Sequence, residues 1–211
     1  QEFNIKQFIR NIIIYTFTVE LIGTLLLAYQ FHSLGLSKCL WSGLFHAVSA
    51  FSTAGFSIYN NGLENFRDHL GINMIIAILC YAGSIGFIIP MDIYRKVTGQ
   101  SKEITLTTKV ILMITAIVAI FGTIFYLVSG ETHLLSAFFQ VMSASTTAGF
   151  NTVPVGNLKS GALLILIIAM VIGASPSGTG GGIKTTSISV LYGIVASVMR
   201  GQTQNITFMK R

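Results

Sequence analysis

Charge is the first thing this sequence lacks. Asp, Glu, Lys and Arg make up 9% of its 211 residues, where a soluble domain carries about 25%. So little polar surface cannot cover a water-exposed fold, which excludes a water-soluble enzyme. Acidic residues are scarcer still, 7 against 13 Lys and Arg, for a net charge of +6. The basic residues stand in short clusters between apolar runs and not along one amphipathic face. Membrane topology explains that pattern, and nucleic acid is set aside as a partner. Cysteine is nearly absent: Cys39 and Cys80 have no CxxC spacing and cannot form a disulfide framework. The chain opens on Gln1 without a basic stretch and a cleavable apolar segment behind it, and is expected to be a segment of something longer. What it has in quantity is apolar side chains, 52% of the residues, with a mean hydropathy of +0.73.

A hydrocarbon core ~30 Å thick takes about 20 apolar residues in a helix. Residues 11–31, 72–91 and 110–128 meet that length; the second run ends against Pro90 and the third exits at Ser129, Gly130 and Glu131. A fourth run starts at Gly161, stalls over residues 173–182 and resumes over residues 187–199, which reads as a helix broken at mid-membrane. Residues 38–51 and 133–145 are apolar but too short to cross, and read as re-entrant. Lys6, Arg10, Arg95, Lys96, Lys102, Lys109, Arg200, Lys210 and Arg211 fall on one side of this layout; Lys38, Arg67 and Lys159 fall on the other. That imbalance assigns both termini to the cytoplasm of a multi-pass cell-membrane protein.

Residues 49–56 read Ser-Ala-Phe-Ser-Thr-Ala-Gly-Phe and residues 143–150 read Ser-Ala-Ser-Thr-Thr-Ala-Gly-Phe, with six of eight positions identical at an offset of 94. The flanks repeat the same order. The expected fold is therefore all-α and integral to the membrane, in two tandem span, re-entrant pore loop, span repeats. The first covers residues 1–100 with its pore loop at 38–57. The second covers residues 101–211 with its pore loop at 133–152, and its last span is broken by a Gly-rich intramembrane loop at 173–186.

Repeat-built membrane proteins place ion or substrate sites where the repeats meet, on discontinuous helices and bare backbone. Irregular backbone at membrane depth survives only if it is buried in protein or lines a wet cavity. Carbonyls lining such a passage can replace the water around a cation and still release it. Gly55 and Gly149 suit the position because glycine reaches backbone angles that turn a carbonyl inward. Ser52, Thr53, Ala54, Thr146, Thr147 and Ala148 would add neighbouring carbonyls, with Phe56 and Phe150 wedging the loops from behind. K⁺ would sit at Thr53, Gly55, Thr147 and Gly149. The half-helices before the loops would aim their negative ends at the ion, and neither loop holds an acid for a carboxylate ring. The plainer alternative is a tight re-entrant turn punctuated by glycine.

Residues 47–57 and 145–152, with Gly178-Thr-Gly-Gly-Gly-Ile-Lys-Thr185, resemble the membrane subunit of the Trk/Ktr/HKT potassium transporter superfamily. The resemblance covers essentially the whole chain. It implies four span-loop-span repeats around one pseudo-fourfold pore, of which this sequence resembles the second and third. Nothing here matches the first or fourth, so the chain is expected to supply half of a pore. The rest would come from the remaining repeats or from a second copy in a homodimer. The resemblance also implies a gate under the filter at residues 173–186, including Gly173, Ser175, Pro176, Gly178, Gly180, Gly181, Gly182 and Lys184. It would be coupled to cytosolic nucleotide-binding RCK/KTN regulatory subunits. The residues are compatible: each Gly costs a helix ~1 kcal/mol and Pro ~3 kcal/mol. Lys184 would face a wet cavity, a carbonyl cluster or the cytoplasm, or else snorkel to the interface.

The run at 178–185 is not a phosphate-binding P-loop, because Ile183 stands where that motif needs Gly before Lys. Ser175 and Ser177 have no histidine on a neighbouring cytoplasmic-half segment to act as base. His32, His46, His69 and His133 lack the spacing of a zinc helix and read as structural. Glu20 is the one acid within a long span and reads as a paired structural group. Asn205-Ile-Thr207 matches a glycosylation sequon on the cytoplasmic side. Trp41, Tyr29, Tyr59 and Tyr126 fit an outer aromatic belt. The function expected is potassium uptake through a carbonyl-lined filter, with K⁺ as cargo, no organic cofactor and no enzyme chemistry. The alternatives are a secondary transporter of a small solute, or a non-conducting fragment that scaffolds the other repeats.

Overall fold

A computed structural model of the chain describes residues 5–130 and 133–200. Glu131, Lys210, Arg211 and the Asn205 sequon lie outside the described residues. Eight α-helices are present among them: α1 Ile5–Ser33, α2 Cys39–Phe51, α3 Leu70–Ile85, α4 Ile88–Val97, α5 Leu106–Val128, α6 Leu134–Ser145, α7 Ser160–Val171 and α8 Thr185–Met199. The order of long helix, short helix, irregular loop and returning helix occurs twice, as α1–α2–α3 and as α5–α6–α7.

Length and hydropathy single out α1 and α5. They run 29 and 23 residues and are long and apolar enough to cross a membrane by themselves. Ile13, Phe17, Leu21 and Leu25 of α1 and Ile117, Ile120, Ile124 and Phe125 of α5 are exposed, a face that suits hydrocarbon and not water. The short helices α2 and α6 occupy the two stretches too short to span, and they carry the most buried surfaces of the molecule. Ala47, Ala50, Ala137, Phe139, Val141 and Met142 are all sealed from solvent.

The run expected to span residues 72–91 is not one helix. α3 ends at Ile85, Gly86 turns out of the helix at φ 78°, and α4 leaves at 91°. Glycine is required at this corner: its φ is left-handed, and a Cβ there would collide with the Ser177 carbonyl. Pro90 then falls in the first turn of α4, where its missing N–H has no helical partner to lose. The proline read as a stop signal lies inside a helix start. α4 is tied to α5 by Asp92, whose carboxylate accepts the Thr105 N–H and hydroxyl, both at 2.8 Å. Thr105 in turn caps α5 by accepting from the Thr108 N–H.

Two apolar clusters hold the elements together. The larger joins Leu27 and Phe31 of α1, Ile72 and Ile76 of α3, and Phe139 and Met142 of α6. The smaller sets Tyr126 of α5 against Val141 of α6 and Leu166 of α7. Phe150, just past the second Thr-Ala-Gly, belongs to the larger cluster. The second loop is therefore built into the core of the first half.

Candidate functional site

The two Thr-Ala-Gly-Phe loops have the same backbone. After α2, the Ser52, Thr53 and Ala54 N–H groups donate to Val48, Ala50 and Ser49 carbonyls at 2.9, 3.1 and 2.8 Å. After α6, Thr146, Thr147 and Ala148 donate to Met142, Ala144 and Ser143 at 2.9, 2.9 and 3.0 Å. Each helix is thus closed by its own loop, and the chain emerges with Thr53 at φ 52° and Thr147 at φ 56°. Left-handed angles are uncommon for a β-branched residue. Gly55 and Gly149 follow at φ 71° and 89°, with no positive φ at the alanines between. The loops are pinned by matched serines: Ser49 Oγ donates to the Phe56 carbonyl at 2.8 Å and Ser143 Oγ to the Phe150 carbonyl at 2.6 Å.

The N–H groups of residues 52–54 and 146–148 are used up in this closure. Among the described residues, no hydrogen bond reaches the carbonyls of Thr53, Ala54, Gly55, Thr147, Ala148 or Gly149. The two loops also touch, since a Cβ on Gly55 would run into the Ala148 carbonyl. A Cβ on Gly149 would meet nothing within 4 Å.

Their surroundings differ. Phe150 is 2% exposed and stacks on the His46 ring at 6.5 Å, so it does wedge its loop. Phe56 is 69% exposed and wedges nothing, contrary to the expectation from sequence. It borders an apolar groove of about 380 Å³ walled by Trp41, Leu44, Phe45 and Val48. The second loop leans on the first half, while Phe56 of the first loop has no such cover among the described residues. His46 holds its place as a scaffold, with Nδ1 2.8 Å from the Ser42 carbonyl and Nε2 2.9 Å from Ser57 Oγ. At the equivalent position, buried Gln140 leaves its Nε2 without a partner. The exit from the second loop is clamped to the first half by the Leu63 N–H on the Asn151 carbonyl and by Asn151 Nδ2 on Glu64 Oε1, both at 3.1 Å. His69 accepts the Ile72 N–H to cap α3. Glu20, expected to be paired, is half-buried on α1 with only its backbone carbonyl engaged, by Thr24 Oγ1 at 2.7 Å.

The Gly-rich loop between α7 and α8 reaches both Thr-Ala-Gly-Phe loops. Its ends are drawn together: Gly173 N–H donates to Ile183, Ile183 N–H to Val171 and Ala174 N–H to Gly181. Ser175 N–H and Thr179 N–H bind the Ser84 and Gly83 carbonyls at the end of α3, at 3.1 and 3.0 Å. Ser177 Oγ reaches the Ile85 carbonyl at 3.4 Å, around the turn that holds exposed Pro176 and half-buried Gly178. Gly180 lies under the Thr146 carbonyl, where a Cβ would sit 2.6 Å away. Gly181 N–H donates to Thr147 Oγ1 at 2.6 Å. Gly182 turns at φ 74°. Lys184 folds back and donates to the Gly180 carbonyl at 2.7 Å, the carbonyl-facing option of those its sequence left open. Residues 185 and 186 belong to α8, so the irregular segment ends two residues early.

Thr179 escaped the sequence reading. Its hydroxyl donates to the Phe51 carbonyl at 3.1 Å and lies 3.2 Å from Thr53 Oγ1. A lone threonine among glycines was the only signal available, and its partner is distant in the chain.

The family model described as TrkH, cation transport protein, matches residues 3–211. The Ktr system potassium uptake protein B of Vibrio alginolyticus is 30% identical over 100% of this chain and 49% of its own length. The protein of the same name from Bacillus subtilis is 30% identical over 96% of this chain and 48% of its own. The potassium/sodium uptake protein NtpJ of Enterococcus hirae is 30% identical over 90% of this chain and 44% of its own. The chain thus spans about half the length of these relatives. The crystal structure of the potassium transporter TrkH from Vibrio parahaemolyticus superposes with a TM-score of 0.68 at 20% identity, over 88% of this chain and 41% of that one. The fold, the apolar helices and the full-length family match agree on a membrane transport protein and not an enzyme: the chain belongs to the TrkH family of cation transport proteins.

Proposed function

We propose that this chain forms half of a potassium uptake pathway. Residues 52–55 and 146–149 are two strands of a carbonyl-lined selectivity filter, and residues 173–186 are the gate beneath it. The observation that carries this reading is the meeting of two matched loops at Gly55 and Ala148, with six carbonyls left without donors. Such backbone is stable at membrane depth only against protein or a wet passage, and rows of carbonyls coordinate a dehydrated cation without trapping it. The C-terminal ends of α2 and α6 run into these loops and add partial negative charge. The relatives named as potassium uptake proteins support K⁺ as the cargo, which would be held by carbonyls of Thr53, Gly55, Thr147 and Gly149.

The unequal surroundings of the two loops support an unfinished ring. Contact between them is head-to-tail, and such contacts close into a ring when the rotation permits. The groove beside Phe56 is then the seat of a preceding repeat, as the His46 side of α2 is the seat of Phe150. The open side of Gly149 and the unpartnered Gln140 amide face a following one. Residues 1–100 and 101–211 are accordingly the second and third of four repeats. The others come from the rest of the polypeptide or from a second copy in a homodimer. The protein is multi-pass with cytoplasmic termini, where RCK/KTN regulatory subunits would act on α8 and the gate.

The test is the mass of the detergent-solubilised full-length particle, followed by Rb⁺ flux from the same sample in liposomes. Rb⁺ flux from particles whose mass accounts for four filter strands is the expected result. Such particles with no cation flux would contradict the reading.

A further inference from the structure

Thr185 opens α8 and is 3% exposed, yet its hydroxyl has no hydrogen-bond partner. Its N–H is engaged, donating to the Ala174 carbonyl at 3.2 Å, so the residue is fixed in place with a polar atom unanswered. Tyr81 on α3 carries a second buried hydroxyl in the same condition. Both side chains line one cavity of about 20 Å³, set between α3, α5, α6 and the first residues of the Gly-rich loop. Its other polar walls are Ser84, Thr115, Ser145, Thr146 and Ser175. Three of these hydroxyls have already given their protons: Ser145 and Thr146 to the Met142 carbonyl at 3.1 and 2.8 Å, and Ser84 to the Tyr81 carbonyl at 3.3 Å. Their lone pairs remain able to accept.

A water needs ~10–15 Å³ of such space and two to four polar partners. This cavity has room for one water and not for a solute, and no charged group lines it to hold an ion. We propose that a single ordered water sits here and bridges Tyr81 Oη to Thr185 Oγ1, latching the start of α8 to the end of α3. The position gives the bridge its consequence. α8 begins where the Gly-rich loop ends, so a loop that withdraws from the two filter loops must carry Thr185 away from Tyr81 and break the bridge. The water therefore adds to the stability of the docked loop. The latch rests on reading residues 173–186 as a gate; the water site does not.

The experiment compares the full-length protein with Thr185→Val, which removes the hydroxyl at equal size, and Thr185→Ser, which keeps it. Structures are determined at a resolution that shows buried waters, and resting Rb⁺ flux is measured in liposomes. A water within hydrogen-bond distance of both oxygens is expected in the parent and in Thr185→Ser, and none in Thr185→Val. Resting flux should rise on the order of fivefold in Thr185→Val, the weight of one hydrogen bond, and stay at the parent level in Thr185→Ser. No water in the parent overturns the site. Flux that is unchanged in Thr185→Val, or that rises equally in Thr185→Ser, overturns the latch. Deletion of residues 178–182 tests the gate separately, so failure of that reading is distinguishable from failure of the water site.

Discussion

Thr179 Oγ1 lies 3.2 Å from Thr53 Oγ1 across 126 residues of chain. Thr53 has one proton to give and two acceptors in reach, Thr179 Oγ1 and, at 2.7 Å, the Ser52 carbonyl. Thr179 gives its own proton to the Phe51 carbonyl at the end of α2. The Gly-rich loop is thereby joined by a side chain to Thr53 in the first of the two proposed filter strands. Gly181 N–H on Thr147 Oγ1 does the same for the second. The proposed filter and gate share hydroxyls, so displacement of one changes the bonding of the other.

Thr179→Val keeps the shape and removes both contacts. Two hydrogen bonds near 1 kcal/mol each amount to a roughly tenfold or greater rise in undocked loop. Resting Rb⁺ flux of the full-length protein should rise accordingly, with thermal stability lowered by about 1–2 kcal/mol. A variant with parental resting flux would show that this contact does not hold the loop closed.

Gly55 and Gly149 separate strain from crowding. Both have left-handed φ, which an Ala side chain strains by ~1–2 kcal/mol. At Gly55 the new Cβ also collides with the Ala148 carbonyl, whereas at Gly149 nothing among the described residues lies within 4 Å. If a following strand packs there, Gly149→Ala in the full-length protein should destabilise as much as Gly55→Ala. Thermal unfolding in detergent decides: a clearly milder Gly149→Ala means that no strand docks against it.

Ser49 and Ser143 perform the same task in the two loops, each holding a Phe carbonyl away from the proposed passage. Ser49→Ala and Ser143→Ala should each lower stability by about 1 kcal/mol and weaken Rb⁺ over Na⁺ discrimination. Comparable losses at the two sites are expected from the matched geometry; a loss at one alone would mean that the loops do not work as equivalents.

Asp92 provides a pH test away from the filter. Burial works to raise its carboxyl, but the Thr105 N–H, the Thr108 and Thr105 hydroxyls and the Arg95 charge outweigh it and hold its pKa below the usual carboxylate value. A carboxylate with a lowered folded pKa contributes stability that is complete above the unfolded value of about 4, and that is lost as pH falls through the folded one. Asp92→Asn should therefore loosen the α4–α5 junction at neutral pH and flatten the acid limb of stability against pH. An acid limb as steep as the parent's would remove Asp92 from the account.

Much of this was legible because it is local. The 94-residue offset aligned Thr53 with Thr147 and Gly55 with Gly149, and the structure gives each pair the same φ sign and the two threonines equivalent N–H partners. The short apolar stretches and the Gly-rich break announced α2, α6 and the gap between α7 and α8 through length and helix propensity alone. What could not be read depends on distant partners. Pro90 looked like the end of a span because the corner at Gly86 is set by Ser177 in the other half of the chain. Phe56 and Phe150 end the same Thr-Ala-Gly-Phe run, and their burial differs because Phe150 packs on His46 and the larger core cluster while Phe56 lies on an exposed groove. Thr179 gains its role from Phe51 and Thr53, which no local pattern brings to it.

The most direct test of the filter is the Rb⁺ to Na⁺ flux ratio of the full-length protein in liposomes, for the parent, Gly55→Ser and Gly149→Ser. A side chain at either position disfavours the left-handed backbone and alters the carbonyl cage. The account predicts that both variants lose preference for Rb⁺ over Na⁺ while still passing cations. A ratio unchanged in both would contradict it.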